Sequence, residues 1–144
     1  MSDLRVELQA EVDAPRARLF RLVASADGLG QWLDGAEFEA RVGGSVRLKL
    51  RDAEAHGEVV ALDPPQHISW SWDWTDAPLG RPSVLAFDLI EHGRRTHLTL
   101  RHVGLPSRAQ RELHEQLWRY WLGRLLEAAA EGGADVTSAG ASAS

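Results

Sequence analysis

The sequence predicts an α+β domain in which one curved antiparallel sheet is covered by a long C-terminal helix. Three observations carry that expectation. Residues 4–12, LRVELQAEV, alternate apolar and polar side chains, as a strand with one buried face does. Six further strand-like segments follow between residues 36 and 103, set apart by Gly, Pro and Asp turn signals. From Ser107 to about Ala130 the period changes to that of a helix, and this is the one long amphipathic element available to cover the apolar face of the sheet.

Each element has a local reason. In the first strand Leu4, Val6, Leu8, Ala10 and Val12 share one face, with Arg5, Glu7, Gln9 and Glu11 on the other. Asp13-Ala14-Pro15 opens a helix, because proline in a first turn gives up no needed N–H. Leu19, Phe20 and Val23 form its stripe, Ala26-Asp27-Gly28 breaks it, and a short second helix is expected to carry Leu29, Trp32 and Leu33. AEFEARV then turns at Gly43-Gly44 into SVRLKLR as a hairpin, AHGEVVALD runs to the stiff corner Pro64-Pro65, and QHISWSWDW follows. A loop over residues 75–82 leads to SVLAFDLIE, and His92-Gly93-Arg94 turns the chain into RTHLTLRHV. On the last helix Leu113, Leu117, Trp121 and Leu125 recur at every fourth residue, with Trp118 and Leu122 beside them, between Pro106-Ser107 and Gly132-Gly133. Residues 1–130 read as a single domain, and residues 131–144, small and polar without periodicity, as a flexible tail.

Composition narrows the function. With 44% hydrophobic and 26% charged residues in 144, the chain is long enough for a real core and carries too many apolar residues for global disorder. A formal charge of −5, with Lys49 the only lysine and the arginines scattered among acids, argues against nucleic acid. Arg47, Lys49 and Arg51 alternate and are expected to line one solvated strand face. No apolar run is long enough to insert in a membrane, and the N-terminus lacks a signal-peptide pattern, so a cytoplasmic location is expected. The absence of cysteine excludes disulfides and thiolate metal sites. Six histidines show no HExxH pattern and no helical i,i+4 pair, so neither a metal site nor a cofactor is expected.

In ISWSWDW, residues 68–74, Trp70, Trp72 and Trp74 stand at every second position and point the same way. Each indole has about 150–250 Å² to bury, worth roughly 4–6 kcal/mol, so something must cover the row. The last helix supplies Trp118 and Trp121, and the neighbouring strands supply Leu85, Phe87, Leu98 and Leu100. The tryptophan row is therefore expected to face inward, between sheet and helix.

The order Trp32-Leu33, Gly43-Gly44, Gly57, Asp63-Pro64-Pro65, Trp70 and Trp72, then Ser83, Thr96 with LTLRH, Gly104, and His114 followed by Trp118, resembles the activator of heat-shock protein 90 ATPase homologue-like (AHSA-type) family. That family lies in the START-like, SRPBCC or helix-grip superfamily, which includes the birch-pollen allergen and polyketide cyclases. The resemblance covers roughly residues 4–127. It implies a seven-stranded sheet gripping the C-terminal helix around an apolar tunnel, in a superfamily whose members bind lipids, hormones or polyketides. One position departs: the family usually has Gly just before the helix Trp, and this chain has Leu117, which narrows such a tunnel or shifts the helix.

The expected function is binding of a small hydrophobic or aromatic molecule between the sheet and the last helix, by a monomer or homodimer. Trp70, Trp72, Phe87, Leu98, Trp118 and Trp121 would supply contact area, Trp32 and Phe38 would close one mouth, and His102 and His114 would orient a polar group. Two alternatives stand beside it. One is a polyketide-cyclase-like or hydrolase-like enzyme using His102 or His114, alone or with Glu91, as general base. The other is a chaperone-associated protein that stimulates a heat-shock protein ATPase through the face bearing Arg47, Lys49 and Arg51. No catalytic residue is assigned. Ser83 and Ser107 have no acid–base partner readable along the chain, no pair of carboxylates is forced together, and Gly43-Gly44 lacks nucleotide-loop spacing.

Overall fold

The computed structural model describes residues 4–141, with side chains through residue 130. The chain runs β1 (Val6–Val12), α1 (Arg16–Val23), α2 (Ala26–Leu29), β2 (Gly35–Phe38), β3 (Ser45–Leu50), β4 (Ala53–Asp63), β5 (His67–Trp74), β6 (Ser83–His92), β7 (Arg95–Val103) and α3 (Arg108–Ala141). The strands form one seven-stranded antiparallel sheet in the order β1-β7-β6-β5-β4-β3-β2. Strands β2 to β7 are thus a simple meander, and β1 closes the far edge against β7. The expected helix-grip α+β architecture is the one observed. The expected tail, residues 131–144, lies outside the residues described with side chains.

Alternation sets the inner face. Val46, Leu48 and Leu50 of β3, Ile68, Trp70 and Trp72 of β5, Ser83, Leu85, Phe87 and Leu89 of β6, and Thr96, Leu98, Leu100 and His102 of β7 are all buried. On α3 the buried stripe is His114, Trp118, Trp121, Leu125 and Ala128-Ala129. This is a correction of about one residue in phase: Leu113, expected to head the stripe, is 58% exposed, and Leu117 is half-buried. A helix turns 100° per residue, so the bulky indoles of Trp118 and Trp121 fix which side faces the sheet and Leu113 falls beyond its edge.

The short helices differ from expectation. Ala26-Asp27-Gly28, read as a breaker, forms the first turn of α2, because the Ser25 hydroxyl accepts the Gly28 N–H at 3.0 Å and caps it. A side chain at Gly28 would collide with the Arg21 carbonyl, so glycine allows α1 and α2 to touch. Trp32 and Leu33 follow α2 in a turn rather than lying within it. At the other corner, β4 ends at Asp63 before a cis Pro64-Pro65 peptide, and β5 starts at His67. Gly57 has the same kind of role as Gly28 in the sheet: a methyl group there would strike the Ser71 carbonyl of β5.

Candidate functional site

Trp70 and Trp72 are 1% and 2% exposed and lie in an aromatic layer between sheet and helix. Phe38 meets Trp70 edge-on at 5.5 Å, and Phe87 lies 5.9 Å from Trp70 on the other side. Trp72 packs on Trp118 of α3 at 5.1 Å, on Trp74 at 5.3 Å and on the His102 ring at 5.6 Å. The expected inward row is therefore real for Trp70 and Trp72. Trp74, at the strand end, is only half-buried.

Two histidines are threaded through this layer. The Trp118 indole N–H donates to Nδ1 of His102 at 3.0 Å, so that nitrogen carries a lone pair and the proton sits on Nε2. His102 Nε2 lies 3.0 Å from the Ser83 hydroxyl, which in turn donates to the Trp72 carbonyl at 2.6 Å. His114 holds the opposite tautomer. It accepts the Trp74 indole N–H on Nε2 at 2.9 Å, and its Nδ1 donates to the Gln110 carbonyl one turn back at 2.7 Å. The rings meet edge to face at 5.1 Å. Burial, and then the neighbouring His114, push the His102 pKa down to about 3. Burial lowers that of His114 as well, opposed by its bond to the Gln110 carbonyl. Every ring nitrogen of the pair has an internal partner, and both imidazoles are neutral.

That arrangement bears on the enzyme expectation. A general base needs a free lone pair within reach of a substrate proton, and neither imidazole has one. Glu91, considered as a partner, lies instead beside Arg16 at 3.7 Å. Ser83, read as having no partner, does touch His102, but the other nitrogen of that ring faces Trp118 rather than a carboxylate. A Ser–His–Asp series does lie on the outer face, with Ser69 Oγ 3.2 Å from His67 Nε2 and His67 Nδ1 2.7 Å from Asp88. Asp88 is shared with Arg101 at 3.0 Å, and β5 is paired along both edges, which commits the neighbouring N–H groups that an oxyanion would need to the sheet.

An apolar open space lies beside α3. A groove of about 620 Å³ runs between the first half of α3 and the β3–β5 side of the sheet. Leu113, Leu117 and Trp121 wall it from the helix, while Ala53, Trp74 and Leu79 wall it from the sheet and the following loop. The loop is pinned by Asp73, whose carboxylate accepts the N–H groups of Trp74 and Leu79 at 2.9 and 2.7 Å. At the rim the Arg51 guanidinium lies 4.6 Å from the centre of the Tyr120 ring, and Arg51 and Arg124 lower the Tyr120 pKa. Leu113 and Tyr120 remain exposed at 58% and 45%.

Of the ten residues expected to bind ligand, Trp121 lines this groove and His114 lies directly behind its Trp74 wall. Trp70, Trp72, Phe87, Leu98 and Trp118 are at most 2% exposed and lie in the core, as His102 does. Trp32 closes no mouth: its indole donates to the Leu22 carbonyl at 2.7 Å and its ring meets Phe87, pinning the helix pair to the sheet. Phe38 is half-buried against Trp70. Leu79, Tyr120 and Arg51 were not legible as site residues. Arg51 does not stand beside Arg47 and Lys49, because it occupies the left-handed turn position after β3 with φ 61° and reaches toward α3. Arg47 itself sits between Glu37 and Glu54, at 4.0 and 3.5 Å, so the expected basic face is largely neutralised. No helix among the described residues is long and apolar enough to cross a membrane.

Residues 13–131 match the family model described as Activator of Hsp90 ATPase homolog 1-like protein. No curated protein matches the chain. Among solved structures, MLL2253 from Mesorhizobium loti is 21% identical with a TM-score of 0.76, covering 86% of this chain and 95% of that one. DynU16, from the dynemicin biosynthetic locus, is 22% identical with a TM-score of 0.78 over 91% of this chain, which spans about half of DynU16 (49%). The Aha1 dimer of Colwellia psychrerythraea is 17% identical with a TM-score of 0.73, covering 87% and 95%. At these identities the likeness is one of fold.

Proposed function

The chain belongs to the Activator of Hsp90 ATPase homolog 1-like family, and we propose that it binds a small apolar or aromatic molecule in the groove between α3 and the β3–β5 side of the sheet. The observation that carries this reading is the groove itself. Its volume, about 620 Å³, lies in the range of small-molecule sites, and its walls are Trp74, Leu79, Leu113, Leu117 and Trp121. Arg51 and Tyr120 at the rim offer polar contacts that orient one end of a ligand. Behind the wall, the indole N–H groups of Trp70 and Trp72 are buried without a hydrogen-bond partner, which leaves donors for a polar group that penetrates between helix and sheet.

Native mass spectrometry of the freshly purified protein, with the organic extract analysed beside it, tests the proposal. The expected result is a stoichiometric adduct that leaves on extraction, and quenching of Trp74 and Trp121 fluorescence when the extracted compound is added back. A bare protein whose fluorescence ignores a broad panel of apolar compounds overturns it. The rival reading, stimulation of an Hsp90-type ATPase, rests on the family description and is tested by adding the protein to such a chaperone and following ATP hydrolysis.

A further inference from the structure

The outer face of the sheet carries a cluster that the groove does not use. Glu11 of β1 stands opposite His97 of β7, and His92 of β6 lies two residues beyond Ile90, the partner of His97. Three neighbouring strands therefore project Glu11, His97 and His92 from one face. The Nδ1 atom of His97 is 2.6 Å from Glu11 Oε2, the Nδ1 of His92 is 3.3 Å from the same oxygen, and a ligand atom from each residue lies within 4.8 Å of the others. On its far side His97 Nε2 is 3.1 Å from the Gln9 side-chain oxygen.

We propose that Glu11, His92 and His97 form a binding site for a divalent late transition-metal cation of the Zn²⁺ class, with both Nδ1 atoms and one carboxylate oxygen as ligands and a further position open to water. The chemistry of the donors supports this assignment. Two imidazoles and one carboxylate, without thiolate, suit Zn²⁺, Ni²⁺ or Cu²⁺ rather than Mg²⁺ or Ca²⁺. Ligands about 2.0–2.1 Å from a tetrahedral Zn²⁺ stand roughly 3.3 Å from one another. The His92–Glu11 separation already has that value, and the His97–Glu11 pair needs to open by about 0.7 Å.

The short His97–Glu11 contact requires a proton between nitrogen and oxygen. A cation takes the place of that proton and releases it to solvent. Gln9 meanwhile holds the other ring N–H, the outer-shell bond that orients a ligating histidine. His92, at the end of β6 beside the Gly93 turn, is the most exposed of the three and has room to close the remaining distance. Arg95, opposite His92 in the hairpin, is exposed, and its long stem lets the guanidinium stay in water. Because β1 is an edge strand, a bound cation would also tie that edge to the β6–β7 hairpin. This site is independent of the groove.

The test is isothermal titration of the untagged chain with Zn²⁺, and with Co²⁺ followed by its visible absorption. One equivalent is expected to bind, with proton release and a raised melting temperature. Glu11→Gln, His92→Ala and His97→Ala should each weaken binding by at least about tenfold, while His67→Ala on the same face leaves it unchanged. The metal-free variants should melt close to the parent, since Glu11 and His92 are exposed and His97 is only half-buried. No binding up to millimolar metal overturns the proposal. So does affinity retained when all three are replaced together, or an equal loss in His67→Ala.

Discussion

The indole N–H of Trp118 donates to Nδ1 of His102 across 3.0 Å, and that single contact decides the protonation of a buried imidazole. With Nδ1 acting as acceptor, the ring proton is confined to Nε2, which faces Ser83. Helix α3 is thereby tied to β7, β6 and the backbone of β5 through one polar thread in an apolar layer. A second thread, from Trp74 to His114 to the Gln110 carbonyl, runs beside it. Networks of this kind favour one packing of helix on sheet, because a shift of the helix would leave the Trp118 and Trp74 indole donors unsatisfied.

Acid should therefore loosen the fold. The ordinary pKa of His102, 6.5, is depressed in the folded chain to about 3, so between those values the unfolded chain binds the extra proton. Stability contributed by neutral His102 is complete above about pH 6.5 and declines as pH falls toward 3, with a limiting slope of about 1.4 kcal/mol per pH unit. His114 acts in the same direction. Urea unfolding between about pH 7.5 and about pH 4.5 should show this decline, and His102→Gln should flatten it. An unchanged slope in that variant would assign the acid sensitivity to other groups.

Ser83→Ala removes the hydroxyl that links His102 to the Trp72 carbonyl. The His102 Nε2–H then has no partner in a site from which water is excluded, and the expected cost is about 1–3 kcal/mol. Chemical denaturation measures it directly. A change below roughly half a kcal/mol would mean that water or a neighbouring group replaces the hydroxyl.

Two variants on one helix separate groove from core. Leu113→Arg alters the exposed wall of the groove and should cost little stability while weakening ligand affinity about tenfold or more. Trp118→Ala empties the core beneath and should cost about 3–5 kcal/mol in stability. Paired melting curves and fluorescence titrations distinguish them. If Leu113→Arg binds as the parent does, the ligand does not occupy the groove.

Gly57→Ala places a methyl group against the Ser71 carbonyl of β5. Backbone on both sides has little freedom to retreat, so a loss of about 1–3 kcal/mol is expected, with ligand affinity falling as the β3–β5 wall shifts. Unfolding measurements on the variant check the first part, and the same fluorescence titration checks the second.

The strands, the long helix and the inner face of the sheet were determined by the sequence alone. Alternation is a local property: Leu98, Leu100 and His102 face inward wherever β7 is placed, and Trp70 and Trp72 must share a side. The family order, from Trp32-Leu33 to His114 and Trp118, was legible for the same reason. Only the tertiary structure decided what those residues do. The phase of α3 moved Leu113, expected to head the buried stripe, out to a groove wall; His114, four residues before Trp118, was legible as inward-facing, but its bond to Trp74 was not. The left-handed turn at Arg51 carried its charge from the expected strand face to the ring of Tyr120. Strand order alone brought Glu11 to His92 and His97, across some eighty residues of chain. Burial and pairing act at distances of a few ångströms, and which residues come that close depends on strand order and helix phase rather than on neighbours in the chain.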